Sequence, residues 1–157
     1  MACRKLAAVF GLGGDGEGDG YFWANNNETM KKRDRIKNKF GGLCAYSGTP
    51  LGEDWQVDHM RPVRRMWGVM LFPEDNCEEN MVPCQKIINH YKHSCDLWTF
   101  RNLLLGGMHE RLKKLPKNPR TEKSRKRKEY LLKVAGYFGI DADNQFEGVF
   151  YFEKPIQ

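Results

Sequence analysis

Asp58 and His59 stand side by side in the run WQVDHMRP, and two carboxamides follow, Asn80 twenty-one residues after the histidine and Asn89 nine residues later. A carboxylate beside an imidazole brings an anionic oxygen donor and a proton acceptor to one point of the chain. A free imidazole titrates near pH ~6.5, so it can take a proton from water at neutral pH. Asp58 and Asn89 both offer hard oxygen atoms. Such donors suit Mg²⁺ or Mn²⁺, with waters and phosphate oxygens completing the coordination shell. Together these groups are the minimum for ion-assisted attack of water on a phosphodiester. A lone histidine after a strand is more often structural. Here a carboxylate stands beside it and two carboxamides follow.

These side chains need a frame, and the residue pattern predicts one. Residues 54–58 alternate Trp55 and Val57 against polar neighbours, as a short strand that delivers the Asp58-His59 pair. A second short strand is expected at 80–82 and a helix at 85–93, with His93 on the same face as Asn89, four residues on. Between the strands, residues 60–79 read as a long loop carrying Arg61, Arg64 and Arg65 with Trp67 and Phe72. Loops of that length in small domains are usually functional. Upstream, Thr29 can cap a helix through about residue 40, ended by Gly41 and Gly42. Downstream, a helix from Asp96 places Leu97, Phe100, Leu104 and Met108 at helical spacing, weakens at Gly106 and Gly107, and is closed by Pro116 and Pro119. A third helix is expected over 121–137, with Leu131, Val134 and Phe138 on one face. The strand-prone GVFYFEK follows it.

At 157 residues the chain is one domain by size and long enough to bury a core unaided. The net charge is +6. Residues 111–133 alone hold eleven Lys or Arg against Glu122 and Glu129. Such a block is either a solvated helix face or a grip on a polyanion, where each neutralised phosphate releases counterions. Residues 1–27 form a flexible glycine-rich segment, since GLGGDGEGDG has six glycines and three acids. Those acids, and the lack of a Walker Lys-Ser/Thr pair, exclude a phosphate-cradling loop. No apolar run approaches a membrane span, and the apolar stretch after Arg4 and Lys5 is too short for a secretory signal. The five cysteines are odd in number and irregularly spaced, so no disulfide framework is expected and a reducing cytoplasm is favoured.

Over residues 43–100, the order and spacing of Asp58, His59, Asn80 and Asn89 resemble the HNH endonuclease family. The resemblance implies an α+β fold in which residues 28–110 hold a ββα-metal core with a leading helix. Residues 111–157 would pack a basic helix and a C-terminal strand on it. It implies that His59 is the general base, that Asp58 and Asn89 ligate one Mg²⁺ or Mn²⁺, and that Asn80 pins the loop that orients the base. It assigns Lys92 to a phosphate and leaves His93 as a DNA contact or third metal ligand. Arg61, Arg64, Arg65 and the trio Lys126, Arg127, Lys128 would hold the DNA backbone. Many members brace the motif with a zinc knuckle of two CxxC pairs. Here the first pair is Cys44 with Ser47, and the second is replaced by Gln85 and Ile88, with Cys84 one place early. Four nitrogen or sulfur donors are not available, so no structural zinc is expected, and Ile88 should pack on Leu43 or Tyr46 instead. The tails resemble those of small phage and prophage HNH proteins, which implies a bacterial or phage-infected cell. The function so implied is metal-dependent DNA cleavage, by nick or double-strand break. The alternative is an HNH scaffold that binds DNA or protein without turnover.

Overall fold

In a computed structural model of the chain, residues 30–155 are described. The glycine-rich segment and Thr29 lie outside the described residues. The first strand, β1 (Gln56–His59), runs antiparallel to a strand at Met81–Cys84, pairing Asp58 with Val82 and His59 with Met81. The second of these strands is buried along its whole length, so its side chains anchor the pair while β1 keeps a face for polar groups. β1 starts two residues later than the sequence pattern predicts, after a turn in which the Trp55 amide donates to the Gly52 carbonyl. The second strand starts one residue later, because residues Glu78–Asn80 tighten into a 3₁₀ turn before the ladder begins.

The stretch between the strands is not a bare loop. It folds into a hairpin of β2 (Arg65–Met66) and β3 (Val69–Met70), followed by a 3₁₀ turn at Pro73–Asp75. The strand at Met81–Cys84 is therefore β4. The helices are α1 (Lys32–Asn38), α2 (Lys86–Lys92), α3 (Leu97–Asn102), α4 (His109–Lys113) and α5 (Glu122–Tyr137). Helix α1 starts after Lys31, which makes no side-chain cap, and ends before Gly41 and Gly42, both at positive φ. Asp96 and Thr121 cap α3 and α5 by accepting from the amides of Thr99 and Ser124. Between α3 and α4 the ladder widens into a π-helical segment, Leu103–Met108, where Gly106 and Gly107 sit. Glycine lowers helical preference there, and the wider turns carry Leu104 and Met108 inward, both fully buried.

The main core joins Tyr46 and Ile88 beneath the strands to Phe100, Leu104 and Met108, then to Leu131, Val134 and Ala135 of α5. Phe146, Phe150 and Phe152 close it. Full burial of one such side chain stabilises by about 1.5–3 kcal/mol. The expected C-terminal strand does not form. Gly148 takes φ 83°, and Tyr151–Glu153 coil into a 3₁₀ turn. The amides of Tyr151 and Phe152 donate to the carbonyls of Tyr46 and Ala45, so the segment clasps the residues before β1 without laddering against them. No helix among the described residues is long and apolar enough to cross a membrane. The chain is thus an α+β fold of small antiparallel sheets and packed helices.

Candidate functional site

Strand alternation sends Gln56 and Asp58 to one face of β1 and Val57 and His59 to the other. Helix α2 covers the first face. Asp58 is buried there, and its Oδ2 receives two donors: the Tyr46 hydroxyl at 2.5 Å and the Lys92 ammonium at 3.0 Å. Burial first, and then the Asp58 charge, pushes the Tyr46 phenol well above its ordinary range, so it stays protonated and donates. Lys92 also donates to the His59 carbonyl at 2.9 Å. Its side chain is only 1% exposed. Lys92 is thus a buried tie between helix and strand, where the sequence suggests a surface contact to phosphate.

His59 lies at the strand's open end, with Nε2 3.2 Å from Asn76 Oδ1. A carboxamide oxygen can only accept, so in this arrangement Nε2 donates to it. Just beyond, Asn80 is fully buried and fixes the chain's direction. Its Oδ1 accepts from the Arg61 amide at 2.9 Å, and its Nδ2 donates to the carbonyls of Arg61 and Asp75 at 2.8 and 2.7 Å. Arg61 adds an ion pair to Asp75 at 2.7 Å. It is therefore part of the brace behind His59, while Arg64 and Arg65 stand exposed.

Asp58, His59, Lys92 and His93 line one cleft of about 310 Å³ together with Pro62, Val63 and Ser94. Asn89 opens onto a neighbouring cleft of about 640 Å³, shared with Gln56, His90 and Tyr130. His93 borders both. It does not continue the face of α2: it caps the helix at φ 54° and ψ −132°, a conformation costly for a side chain of its size. That backbone setting is a site feature no sequence pattern reveals. Tyr130 and Gln56 are two more cleft residues that the sequence does not single out. The only signal for Gln56 is its place two residues before Asp58, on the same face.

Whether Asp58 and Asn89 could share a metal ion is a question of donors. Asn89 Nδ2 donates to Gln56 Oε1 at 2.8 Å, and Oδ2 of Asp58 already faces an ammonium and a hydroxyl. The two side chains open onto different clefts. Among the described residues, no group of three or more His, Cys, Asp or Glu side chains is placed to hold a metal ion. At the position of the broken knuckle, Cys44 and Cys84 are free, fully buried thiols in one cluster with Ile88 and Tyr46. A hydrogen bond with Cys84, helped by Ser47 and Gln85, draws the Cys44 thiol down to about 6, while burial pushes Cys84 well up. Cys77 is disulfide-bonded, so the irregular cysteine spacing does not leave every thiol free.

The basic stretch forms the first turns of α5. Lys126 and Arg127 are exposed, but Lys126 pairs with Glu122 at 3.4 Å. Lys128 is drawn back onto the carbonyls of Pro116 and Lys117. Farther along, Tyr130 packs against His90 and Tyr91, bringing α5 to the wall of the second cleft. Compared with known proteins, the chain matches no protein-family model, no curated protein and no solved structure.

Proposed function

We propose that the chain is a DNA endonuclease of the HNH kind, with His59 as the general base. The observation that carries this reading is the mounting of His59. It ends β1 at the mouth of a cleft, and the backbone leaving it is held at Arg61 by two hydrogen bonds with the side chain of buried Asn80, which a third ties to the Asp75 carbonyl. The succession of β1, β4 and α2 supports the same reading. A base held this way can take a proton from water as the oxygen attacks phosphorus. The new P–O bond forms as the bond to the 3′ oxygen breaks, and solvent reprotonates the leaving oxygen. Exposed Arg64 and Arg65 stand on the chain just past His59, where they can meet the flanking phosphates.

A divalent ion, Mg²⁺ or Mn²⁺, belongs to this reading through the resemblance. Asp58 and Asn89 open onto different clefts, so no step is assigned to the ion. The pairing of Asp58 with Lys92 and of Asn89 with Gln56 favours a second reading, a DNA-binding scaffold without turnover. Supercoiled plasmid incubated with the protein, in Mg²⁺ or Mn²⁺ and in parallel with EDTA, separates the two. Nicked or linear product that needs metal and is lost in His59→Ala supports the nuclease. Retention of intact plasmid under all conditions, with DNA still bound, leaves the scaffold.

A further inference from the structure

The hairpin that follows His59 spends its exposed surface in an unusual way. Among the described residues, eight large hydrophobics are markedly exposed, and five of them, Met66, Trp67, Val69, Leu71 and Phe72, lie here. Trp67 forms the tip and is 96% exposed. It shares the two-residue turn with Gly68, at φ 52° and 84°. Such turns favour Asn, Asp or Gly, because a side chain is disfavoured at positive φ. Trp67 therefore occupies a costly position and recovers little packing there. Pairing places Met66 opposite Val69, and the Leu71 amide donates to the Arg64 carbonyl, so the apolar strip runs beside the arginines of the same hairpin. No acidic residue occurs from Met60 to Pro73, while Arg61, Arg64 and Arg65 do. The root of the hairpin, Pro62 and Val63, lines the cleft of Asp58 and His59.

An apolar, aromatic-tipped projection with cations and no acids matches a polyanion that can offer a flat ring. We propose that the β2–β3 hairpin is a base-stacking wedge. Trp67 would stack on an unpaired or displaced base while Arg64 and Arg65 hold the flanking phosphates, which selects DNA with unstacked nucleotides beside the cleft. This rests on the nucleic-acid reading above and adds to it the form of DNA preferred.

The test is fluorescence anisotropy in EDTA, which keeps binding apart from cleavage. The probes are a labelled single strand, a paired duplex, and a duplex with one central unpaired base. Trp67→Ala should weaken binding to the first and third by about 5- to 100-fold and change the paired duplex by no more than about twofold. Trp67→Phe should keep most of the affinity. Trp67→Asn, which suits the turn, should lose it as Ala does, so a folding defect cannot mimic the result. Equal binding of wild type and Trp67→Ala to every probe overturns the wedge and leaves the nuclease reading standing. Trp67-dependent binding without plasmid cleavage keeps the wedge and removes the nuclease. Trp67-dependent dimerisation by sedimentation, or flotation with anionic vesicles, without a DNA effect also overturns it and assigns the hairpin to a second copy or a lipid surface.

Discussion

The Lys92 ammonium lies 3.0 Å from Asp58 Oδ2 and 2.9 Å from the carbonyl oxygen of His59, so one buried cation holds α2 to both residues of the pair. Removing one partner leaves the other charge buried and unpaired, which typically costs about 3–5 kcal/mol. Lys92→Ala should therefore lower unfolding stability by about that amount in urea titrations. Lys92→Met in combination with Asp58→Asn should recover part of it. A loss within about 0.5 kcal/mol, as at ordinary surface sites, would show that the charge is not buried as described.

Asn80→Ala should be destabilising by about 2–4 kcal/mol, since it removes three hydrogen bonds and strands the buried carbonyl of Asp75 and the partly buried backbone groups of Arg61. Hydrogen exchange at the Arg61 amide should accelerate more than exchange in α5. Uniform acceleration across the chain would argue that Asn80 supports the core generally and not the turn after His59.

For the catalytic reading, His59→Ala should reduce DNA cleavage by about 10²–10⁴ while the urea midpoint and DNA affinity stay near wild type. Cleavage by His59→Ala at the wild-type rate at neutral pH would remove His59 as the base.

Cleavage should need Mg²⁺ or Mn²⁺, and purified protein should hold no stoichiometric zinc, because Cys44 and Cys84 are joined only by Ser47 and Ile88 at the knuckle position. Elemental analysis checks the second statement and an EDTA titration the first. One tightly held zinc per chain, absent from Cys44→Ser, would contradict it.

Replacing Lys126, Arg127 and Lys128 together by Gln should weaken binding evenly across DNA sequences. The salt dependence should flatten by up to roughly one slope unit for each phosphate that is no longer neutralised. Lys128 already serves two carbonyls and Lys126 faces Glu122, so the single change at Arg127 should carry the largest share. An unchanged slope in the triple variant would make this turn of α5 a solvated face.

Alternation and capping signals are local, and they locate most of the elements. Trp55 and Val57 mark β1, Asp96 and Thr121 mark the starts of α3 and α5, and Gly106 with Gly107 marks the break in the helix. The hairpin at 65–70 is not legible in the same way, because its turn uses Trp67-Gly68 in place of the usual Asn-Gly and so offers no recognisable punctuation. GVFYFEK misleads for the opposite reason. Its strand propensity is real, but the burial available to Phe150 and Phe152 outweighs it. At the site, spacing brings Asp58, His59, Lys92 and His93 to one cleft but not Asn89. Side-chain partners such as Gln56 for Asn89 depend on which rung of the strand faces which turn of the helix, and spacing alone does not determine that.

The clasp of Tyr151 and Phe152 on Tyr46 and Ala45 bears on the order of synthesis. The residues that cap the floor beneath Asp58 follow it by about a hundred positions, so on the ribosome the part of the domain made before them must wait with Tyr46 and Phe100 uncovered. A contact of such long range closes slowly. Until it does, the aromatic floor is open to association with other chains. Nascent chains halted before residue 146 should engage holding chaperones, and extension past residue 152 should release them.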